Sequence, residues 1–329
     1  ARMLVDVERE SSVIEMAEAA GIGYSPCTES AALAASTYGV GELMLRAVRA
    51  GAKTIYIGLG GSATNDGGAG MLQALGAHVV DDQGCNIAPG LAGLEQVASV
   101  DLAPALEVLR GARIVVLSDV ENPLVGRRGA LAVFGGQKGL PADDVEVLRR
   151  YDGWMVGYGR LLDVAIAGAR AQGLLRVPEG ARTFGSVLGV PGAGAAGGMG
   201  FAFLTFCNAT LESGIKIILE ETHLEKYIRD ADVVITGEGR LDGQTVMGKA
   251  PIGVAKIAKK YEKPVLAFSG CVTKEAVACN AEGIDAFFPI LRNVVSLDEA
   301  MHTDNAMTNM TDTVEQVFRT IQTFSSVCK

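Results

Sequence analysis

Three short runs rich in β-branched residues each end in a polar, glycine-rich segment, and this recurrence limits the folds open to the chain. The runs cover residues 53–58, 113–118 and 232–236, and the segments that follow them read GLGGSATNDGG (58–68), SDVENPL (118–124) and TGEGRLDGQTVMGK (236–249). Alanine- and leucine-rich stretches of helical length separate the runs. Strands alternating with helices form parallel sheets, which bind ligands beyond the carboxyl ends of their strands. The pattern therefore predicts an α/β enzyme with a crevice lined by these loops.

The composition agrees with such an enzyme and argues against several other classes. The chain has 329 residues, 49% of them hydrophobic and 42 of them glycine, which suits two α/β domains. A net charge of −9 without a long basic run argues against a nucleic-acid partner. Six cysteines without a CxxC pair indicate free thiols in a reducing compartment, so we expect a cytoplasmic protein. The uncharged stretch 183–211 is rich in glycine and contains Pro191, so we interpret it as a buried loop and expect no membrane partner.

Local patterns predict the elements around the loops. We expect a helix over 69–76, a strand over 77–80, a helical region over 143–171 broken near 153–159, and a strand over 215–219. A helix over 251–261 and strands over 264–269 and 286–290 follow in the C-terminal part. We place a domain boundary near Ser213.

Among the carboxylates of the three loops, we expect Asp66, Asp119, Glu238 and Asp242 to face a common crevice. At a shared sheet edge, such groups accept a proton from an attacking hydroxyl or hold Mg²⁺ against a triphosphate. Each aspartate alone also fits an ordinary turn or cap, because Asp side chains bond nearby backbone amides. The recurrence of carboxylates in all three loops favours the functional interpretation.

Positive charge is sparse in the loops, and its few positions stand out. Lys138 lies in FGGQKG (134–139), and Arg240 and Lys249 lie in the third loop. Phosphoryl transfer needs cations against the charge that spreads over the transferred group. The sequence carries no Walker A pattern and no protein-kinase motif set.

A dinucleotide site is an alternative for the first loop. Gly58, Gly60 and Ala63 fit the pattern G-x-G-x-x-A after a strand, and Asp81 and Asp82 follow a second strand at about the right distance. Asn65 and Asp66 stand where the pyrophosphate would meet the helix, and a carboxylate there repels phosphate. An NAD(P)-dependent oxidoreductase therefore stays as the alternative interpretation.

Four long strings resemble the signature segments of the bacterial-type glycerate kinase family, in family order and with similar spacing. They read GGSATNDGGAGMLQALGA (60–77), DVENPLVGRRGALAVFGGQKG (119–139), PGAGAAGGMG (191–200) and ITGEGRLDGQTVMGKAPIGVA (235–255). The shorter strings VIEMAEAAG (13–21) and STYGVGEL (36–43) also fit. The resemblance runs from about residue 13 to the C-terminal helix.

The resemblance implies ATP-dependent phosphorylation of D-glycerate, at the 2-hydroxyl to give 2-phospho-D-glycerate, with ATP and Mg²⁺ as cofactors. It implies two α/β domains, a middle α/β domain over 1–212 and a domain with a Rossmann-like parallel sheet over 213–329, with the active site in the cleft between them. The resemblance is also compatible with a homodimer. The family begins with several dozen more residues, so the resemblance also implies that a first strand and a lysine-bearing segment are missing. A non-catalytic ligand-binding fragment is therefore a second alternative.

The family motifs suggest a role for each matching residue. We expect catalytic roles for Asp66, Asp119 and Lys249, with Asp66 or Asp119 as the proton acceptor. Glu238 and Asp242 are the expected metal ligands. The expected substrate-binding residues are Ser62, Thr64, Asn65, Asn122, Arg240 and Gln244. The expected nucleotide- and phosphate-binding residues are Gln137, Lys138, Gly194, Gly197 and Thr245.

Overall fold

The computed structural model describes residues 1–174, 187–207, 209–243 and 245–327. The chain divides into two compact units, the N-terminal unit Ala1–Glu212 and the C-terminal unit Ser213–Lys329. This division coincides with the boundary placed near Ser213 from the sequence. Each unit has its own hydrophobic core, one around Ile55, Ile57 and Val116 and the other around Ile252, Val265 and Ala267.

The N-terminal unit is built on a five-stranded sheet in the order β1-β2-β3-β6-β7, with a separate two-stranded sheet of β4 and β5. The strands are β1 (Leu4–Asp6), β2 (Ser11–Glu15), β3 (Thr54–Gly58), β4 (His78–Val80), β5 (Ser99–Asp101), β6 (Arg113–Leu117) and β7 (Thr210–Glu212). The helices are α1 (Ala17–Ala20), α2 (Glu29–Ala34), α3 (Tyr38–Arg49), α4 (Ala69–Ala74), α5 (Ala103–Val108), α6 (Ala130–Lys138), α7 (Val145–Ala171) and α8 (Met199–Thr205).

The centre of the large sheet is parallel, as the sequence predicts. β3 pairs in parallel with β2 on one side and β6 on the other, and β7 pairs in parallel with β6, whereas β1 is antiparallel to β2. Ile55 and Ile57 of β3 lie on the same face of the sheet and are fully buried, whereas Thr54 and Tyr56 on the other face are partly buried. The 58–68 and 118–124 loops consequently leave the sheet at the same edge.

The C-terminal unit has a three-stranded parallel sheet in the order β10-β9-β8. Its strands are β8 (Val234–Leu241), β9 (Val265–Val272) and β10 (Ala286–Pro289). Its helices are α9 (Gly214–Glu221), α10 (Leu224–Arg229), α11 (Ala250–Lys260), α12 (Ala278–Ala281), α13 (Leu297–Met301) and α14 (Thr303–Val327). Helix α11 connects β8 to β9, and three parallel strands in this spatial order match half of a Rossmann sheet. The expected α/β class with a parallel sheet is confirmed.

Three local predictions are wrong. The segment 215–219 forms helix α9 and not a strand, because Ile215 and Leu219, one helical turn apart, pack together against Gly253 of α11. Helix α7 runs unbroken through 153–159. A Cβ added at Gly153 or Gly157 would meet no atom within 4 Å. Strand β8 continues past Thr236 to Leu241, since its backbone pairs with β9 as far as Val272. The sequence also predicts an irregular segment over 176–189, and the family resemblance implies a surface insertion over about 158–183; both overlap residues 175–186, which lie outside the described residues.

The topology also disfavours the dinucleotide alternative. Strand β4, which precedes Asp81 and Asp82, pairs with β5 in the small sheet and is not a neighbour of β3. Asp81 closes its own turn, where its Oδ1 atom accepts hydrogen bonds from the amides of Gln83 and Cys85 at 3.0 and 2.8 Å. Asp81 and Asp82 therefore follow a strand of the small sheet, whereas the dinucleotide pattern needs them after a strand of the sheet that contains β3. Among the helices described, none is long and apolar enough to cross a bilayer.

The glycine-rich segment 191–200, which leads into α8, packs on the 58–68 loop that follows β3. Gly197 has φ +66°, and a Cβ there would lie 2.0 Å from the Thr64 carbonyl oxygen and 2.7 Å from the Asn65 Cα. We expect Gly197→Ala to lower the free energy of unfolding by about 3 kcal/mol, because both the backbone conformation and the space reject a side chain. The single tryptophan, Trp154 in α7, reports urea unfolding of this unit by fluorescence.

Gly157→Ala is the matched control for this prediction. Gly157 lies in the interior of α7 and a Cβ there meets nothing within 4 Å. We expect this change to raise stability by about 0.5–1 kcal/mol, since alanine favours helix over glycine. Equal stabilities for Gly197→Ala and the unchanged protein would contradict the packing of the run on the loop.

Candidate functional site

The predicted site residues fall into two clusters, one within each unit. The first is the loop that follows β3, in which Ser62 is 9% exposed, Thr64 is 1% exposed, and Asn65 and Asp66 are fully buried. Four consecutive or nearly consecutive polar side chains are rarely buried without partners to satisfy them. The interior of the loop is therefore organised by specific polar contacts.

The Asp66 carboxylate ties the first loop to the starts of two helices. It accepts hydrogen bonds from the Thr37 amide at 2.8 Å, the Thr37 hydroxyl at 2.9 Å, and the amides of Gly68 at 3.2 Å and Gly70 at 3.3 Å. The Thr37 hydroxyl in turn accepts from the Met71 amide at 2.9 Å. Thr37 precedes α3, while Gly70 and Met71 open α4. One buried carboxylate therefore fixes the geometry of two helix N-termini.

This placement changes the interpretation of Asp66. Burial raises the pKa of the Asp66 carboxyl, while the four donated hydrogen bonds oppose that shift by favouring the ionised form. Both oxygens are engaged and the residue is 0% exposed, so no edge of the carboxylate is open to a substrate. The geometry suits a positioning residue, and it does not suit the predicted role of proton acceptor.

Lys138 is the second buried charge of this cluster. It is the last residue of α6 and is only 2% exposed. Its Nζ atom donates to the Thr64 carbonyl oxygen at 2.6 Å and to Asn65 Oδ1 at 3.3 Å. Burial lowers the pKa of the Lys138 ammonium to about 8, and the negative charge of Asp66 partly offsets that shift. The ammonium faces the loop's own oxygens, and the neighbouring Gln137 is exposed.

The two glycines expected at the nucleotide pack instead against the unit's own backbone. A Cβ at Gly194 would lie 2.2 Å from the Pro123 carbonyl oxygen, and Gly197 faces Thr64 and Asn65 as described above. The Gly194 amide donates to the Asn122 carbonyl oxygen at 2.8 Å, and the Gly67 amide donates to the Gly197 carbonyl oxygen at 3.0 Å. Close approach of backbone within the unit therefore accounts for glycine at both positions.

The second loop presents a more accessible carboxylate. Asp119 is exposed and follows directly after β6, at the edge from which the first loop also leaves. The Asn122 side-chain amide donates to the Arg128 carbonyl oxygen at 2.8 Å, and so closes the turn that leads into α6. The Asn122 side chain is thus hydrogen-bonded within its own loop. Of the two carboxylates predicted to be catalytic in this unit, Asp66 is buried and Asp119 is exposed to solvent.

The second cluster lies at the end of β8 in the C-terminal unit. Glu238 and Arg240 belong to the strand itself, opposite Ser269 and Cys271 of β9. The Thr245 hydroxyl donates a hydrogen bond to Glu238 Oε1 and accepts one from the Asp242 amide at 3.0 Å. The turn after β8 is therefore closed by Thr245. The expected substrate-binding residue Gln244 lies outside the described residues.

Two cations and two carboxylates meet in this second cluster. The Lys249 Nζ atom lies 3.6 Å from Asp242 Oδ1 and 3.9 Å from Glu238 Oε2. The Arg240 Nε atom donates to Asp242 Oδ2 at 3.2 Å. The Arg240 side chain is 64% exposed and that of Lys249 is 38% exposed, so both cations are open to an anionic ligand. The sequence correctly predicts that these four residues share one place.

Sequence reasoning misses two residues that support the clusters. Thr37, which bonds Asp66, lies in the string STYGVGEL, but nothing in its pattern marks that contact. Ser269 is fully buried; its hydroxyl accepts from the Leu241 amide at 3.0 Å and donates to the Cys271 carbonyl oxygen at 2.7 Å. Ser269 stabilises the extended end of β8, which the sequence analysis places in a loop.

Comparison with known proteins gives one consistent result. Residues 1–322 match the model of the glycerate kinase family. The chain is 44% identical over 291 residues to a glycerate kinase of Bacillus subtilis (strain 168), covering 88% of this chain and 71% of the relative. It is 43% identical, with the same coverage, to the glycerate 2-kinase of Escherichia coli (strain K12). A crystal structure assigned as glycerate kinase 2 from Salmonella typhimurium LT2 matches with a TM-score of 0.73 and 40% identity, over 97% of this chain and 78% of that one.

The Asp66 network predicts a stability loss on amide substitution. In Asp66→Asn, one of the two acceptor oxygens becomes an NH₂ group that faces backbone or hydroxyl donors. We expect a loss of about 2 kcal/mol in the free energy of unfolding, from unsatisfied buried donors. Urea unfolding followed by Trp154 fluorescence measures it, with the exposed Asp82→Asn as control. A loss equal to that of the control would contradict the network.

The lowered pKa of Lys138 predicts a pH dependence of stability. Because the folded-state pKa is about 8 and the ordinary value is 10.5, the unfolded chain binds more protons between these pH values. Stability therefore rises with pH across this window, by up to about 3 kcal/mol from this group, as the cost of burying the charge is relieved. Lys138→Met lacks the group and should lack that part of the rise. Parallel pH profiles from pH 7 to 10.5 for the two proteins would contradict the assignment.

Proposed function

The chain belongs to the glycerate kinase family, and on that premise we propose that it transfers the γ-phosphoryl group of ATP to the 2-hydroxyl of D-glycerate. The observation that carries this proposal is the family match over 1–322, together with the 43% identity to a relative named glycerate 2-kinase. The two clusters supply the chemistry that such a transfer needs: a polar loop for a small hydroxy acid, and a pair of cations for a phosphoryl group.

We assign D-glycerate to the loop that follows β3. Ser62 and Thr64 offer hydroxyl groups that match the hydroxyl and carboxylate oxygens of glycerate. The Asn65 side chain is fully buried and already bonded to Ala32 and Lys138, so we propose that it holds the loop in shape beside them. The Thr64 hydroxyl is buried and has no hydrogen-bond partner among the described residues, which is consistent with a ligand or a water completing its bonding. Asp66 then acts behind the loop, by fixing the helix starts that hold it in shape.

Asp119 is the residue that we propose as proton acceptor. In the transfer, the 2-hydroxyl oxygen of glycerate forms a bond to the γ-phosphorus while the bond from that phosphorus to the bridging oxygen of ADP breaks. The hydroxyl proton passes to the Asp119 carboxylate, and ADP leaves with the bonding electron pair. Asp119 suits this role because it is exposed at the carboxyl end of a central parallel strand, where open α/β sheets bind their ligands.

The cluster at the end of β8 is assigned to the phosphates. Lys249 and Arg240 are the cations that would neutralise charge on the transferring group, and Thr245 and the exposed Gln137 remain the proposed nucleotide contacts. Arg240 equally fits the carboxylate of glycerate, and Gln244 stays a proposed substrate contact. A cation stabilises the charge on a transferring group most when it is already held in place. The Lys249 ammonium is held by the carboxylates of Glu238 and Asp242.

Glu238 and Asp242 are the proposed ligands of Mg²⁺. Within the described ranges, no group of three or more His, Cys, Asp or Glu side chains is arranged to hold a metal ion. A pair of carboxylates nevertheless fits Mg²⁺, which usually takes one or two carboxylates from the protein and completes its shell with substrate phosphates and water. When bound, the metal would neutralise charge on the triphosphate. Asp242 already pairs with Arg240. A metal ion bound to Asp242 would weaken that pair and free part of the Arg240 guanidinium for an anion.

The proposal predicts glycerate-dependent formation of ADP from Mg-ATP. A coupled assay for ADP with and without D-glycerate measures turnover, and NMR of the product locates the phosphate on C2 or C3. We expect 2-phospho-D-glycerate and no dependence on a nicotinamide cofactor. A folded protein that releases no ADP in response to D-glycerate would contradict the proposed function.

The same assay tests the role of Lys249. We expect Lys249→Ala to lower kcat by about 100-fold, since it removes a cation from the transferring phosphoryl group. Lys256→Ala is the matched control, because Lys256 lies on the neighbouring helix α11, is exposed, and pairs with Glu282 at 3.2 Å. If both variants retained full kcat, Lys249 would not belong to the phosphate site.

A further inference from the structure

We infer that Lys138 is a positioning residue whose ammonium fixes the Thr64–Asn65 segment of the first loop, and that it makes no contact with phosphate. Three observations carry this inference: the burial of the side chain, the identity of its two acceptors, and the way in which the chain leaves α6. The inference rests on the proposed function in one respect, which is the assignment of glycerate to this loop.

Burial places the Lys138 charge away from any phosphate. The residue is 2% exposed, whereas Lys249, the proposed phosphate cation, has a side chain that is 38% exposed. The ammonium also loses part of its proton affinity through burial, with a pKa lowered to about 8.

The acceptors show what the ammonium holds. One is the backbone carbonyl of Thr64 at 2.6 Å, and the other is the Asn65 side chain at 3.3 Å. The Asn65 amide reaches on to the Ala32 carbonyl oxygen of α2 at 3.4 Å. Lys138 therefore connects the end of α6 to the middle of the loop and, through Asn65, to α2. Without it, the Thr64 carbonyl would be buried and would lose its strongest donor.

The end of α6 is shaped to bring the lysine inward. Gly139 follows it with φ +109°, and a Cβ there would lie 2.4 Å from the Cys27 backbone. The chain thus turns at Gly139 in a conformation that side chains resist, while α6 keeps Lys138 directed into the unit. The motif FGGQKG, in which the sequence suggests a phosphate contact, is explained by this turn and by the buried ammonium.

Hydrogen–deuterium exchange on the full chain tests the inference independently of catalysis. We expect Lys138→Met to raise amide exchange in peptides that cover residues 59–70 at least tenfold, with smaller changes in the sheet strands. Lys260→Met is the matched control, since Lys260 also ends a helix but is exposed and pairs with Glu225. Lys138→Gln keeps a neutral donor and serves as the second variant if the methionine variant does not fold.

The kinetic readout separates positioning from phosphate binding. A positioning role predicts that KM for D-glycerate rises at least tenfold in the Lys138 variants while KM for ATP stays within about twofold. Unchanged exchange over 59–70, exchange raised uniformly across residues 1–212, or a rise confined to KM for ATP would each overturn the inference. If the unchanged protein does not phosphorylate D-glycerate, the proposed function fails, and the exchange measurement still decides the role of Lys138.

Discussion

The first cluster depends on two opposite charges buried within one loop region. Asp66 and Lys138 are both removed from water, and each is acceptable only because polar groups replace its hydration. Asp66 gathers four donors from the starts of α3 and α4, and Lys138 gathers two oxygens from the loop between them. Such a network is stable only when every member is satisfied, so it holds the loop in one conformation. The same constraint explains Gly197, since a loop this closely packed leaves no room for a side chain above its backbone, while Gly194 packs on Asn122 and Pro123 of the second loop.

The second cluster is positioned by strand β8, which continues beyond its predicted end. Pairing with β9 extends β8 to Leu241 and places Glu238 and Arg240 on a regular backbone, with Thr245 closing the turn behind them. Gly237 permits this pairing, because a Cβ there would lie 2.0 Å from the Phe268 carbonyl oxygen. Residues held by strand pairing are positioned more firmly than those on a free loop. This cluster remains partly exposed, as a site for a charged ligand requires.

The sequence predicts the parallel strands and the membership of the second cluster, because strand runs and glycine-rich loops depend on local pattern. It does not predict which charges are buried. Asp66 and Lys138 look like accessible catalytic groups in their motifs, and their partners Thr37, Thr64 and Asn65 come together only through tertiary contacts. The prediction for 215–219 is wrong for another reason, since a short run with four apolar residues fits a strand or a helix until the packing of Ile215 and Leu219 against α11 is seen. Burial of a polar side chain is thus the property that most needs the structure.

A crystal structure of the chain with D-glycerate and Mg-ADP tests these assignments together, because it shows what each buried charge faces when the ligands are present. The proposed assignment predicts glycerate oxygens within hydrogen-bond distance of Ser62 or Thr64, with the Lys138 ammonium still on the Thr64 carbonyl oxygen and Asp66 still bonded to Thr37. It also predicts the phosphates next to Lys249. A structure in which Lys138 or Asp66 contacts the nucleotide or glycerate, or in which glycerate binds away from residues 62–66, would contradict it.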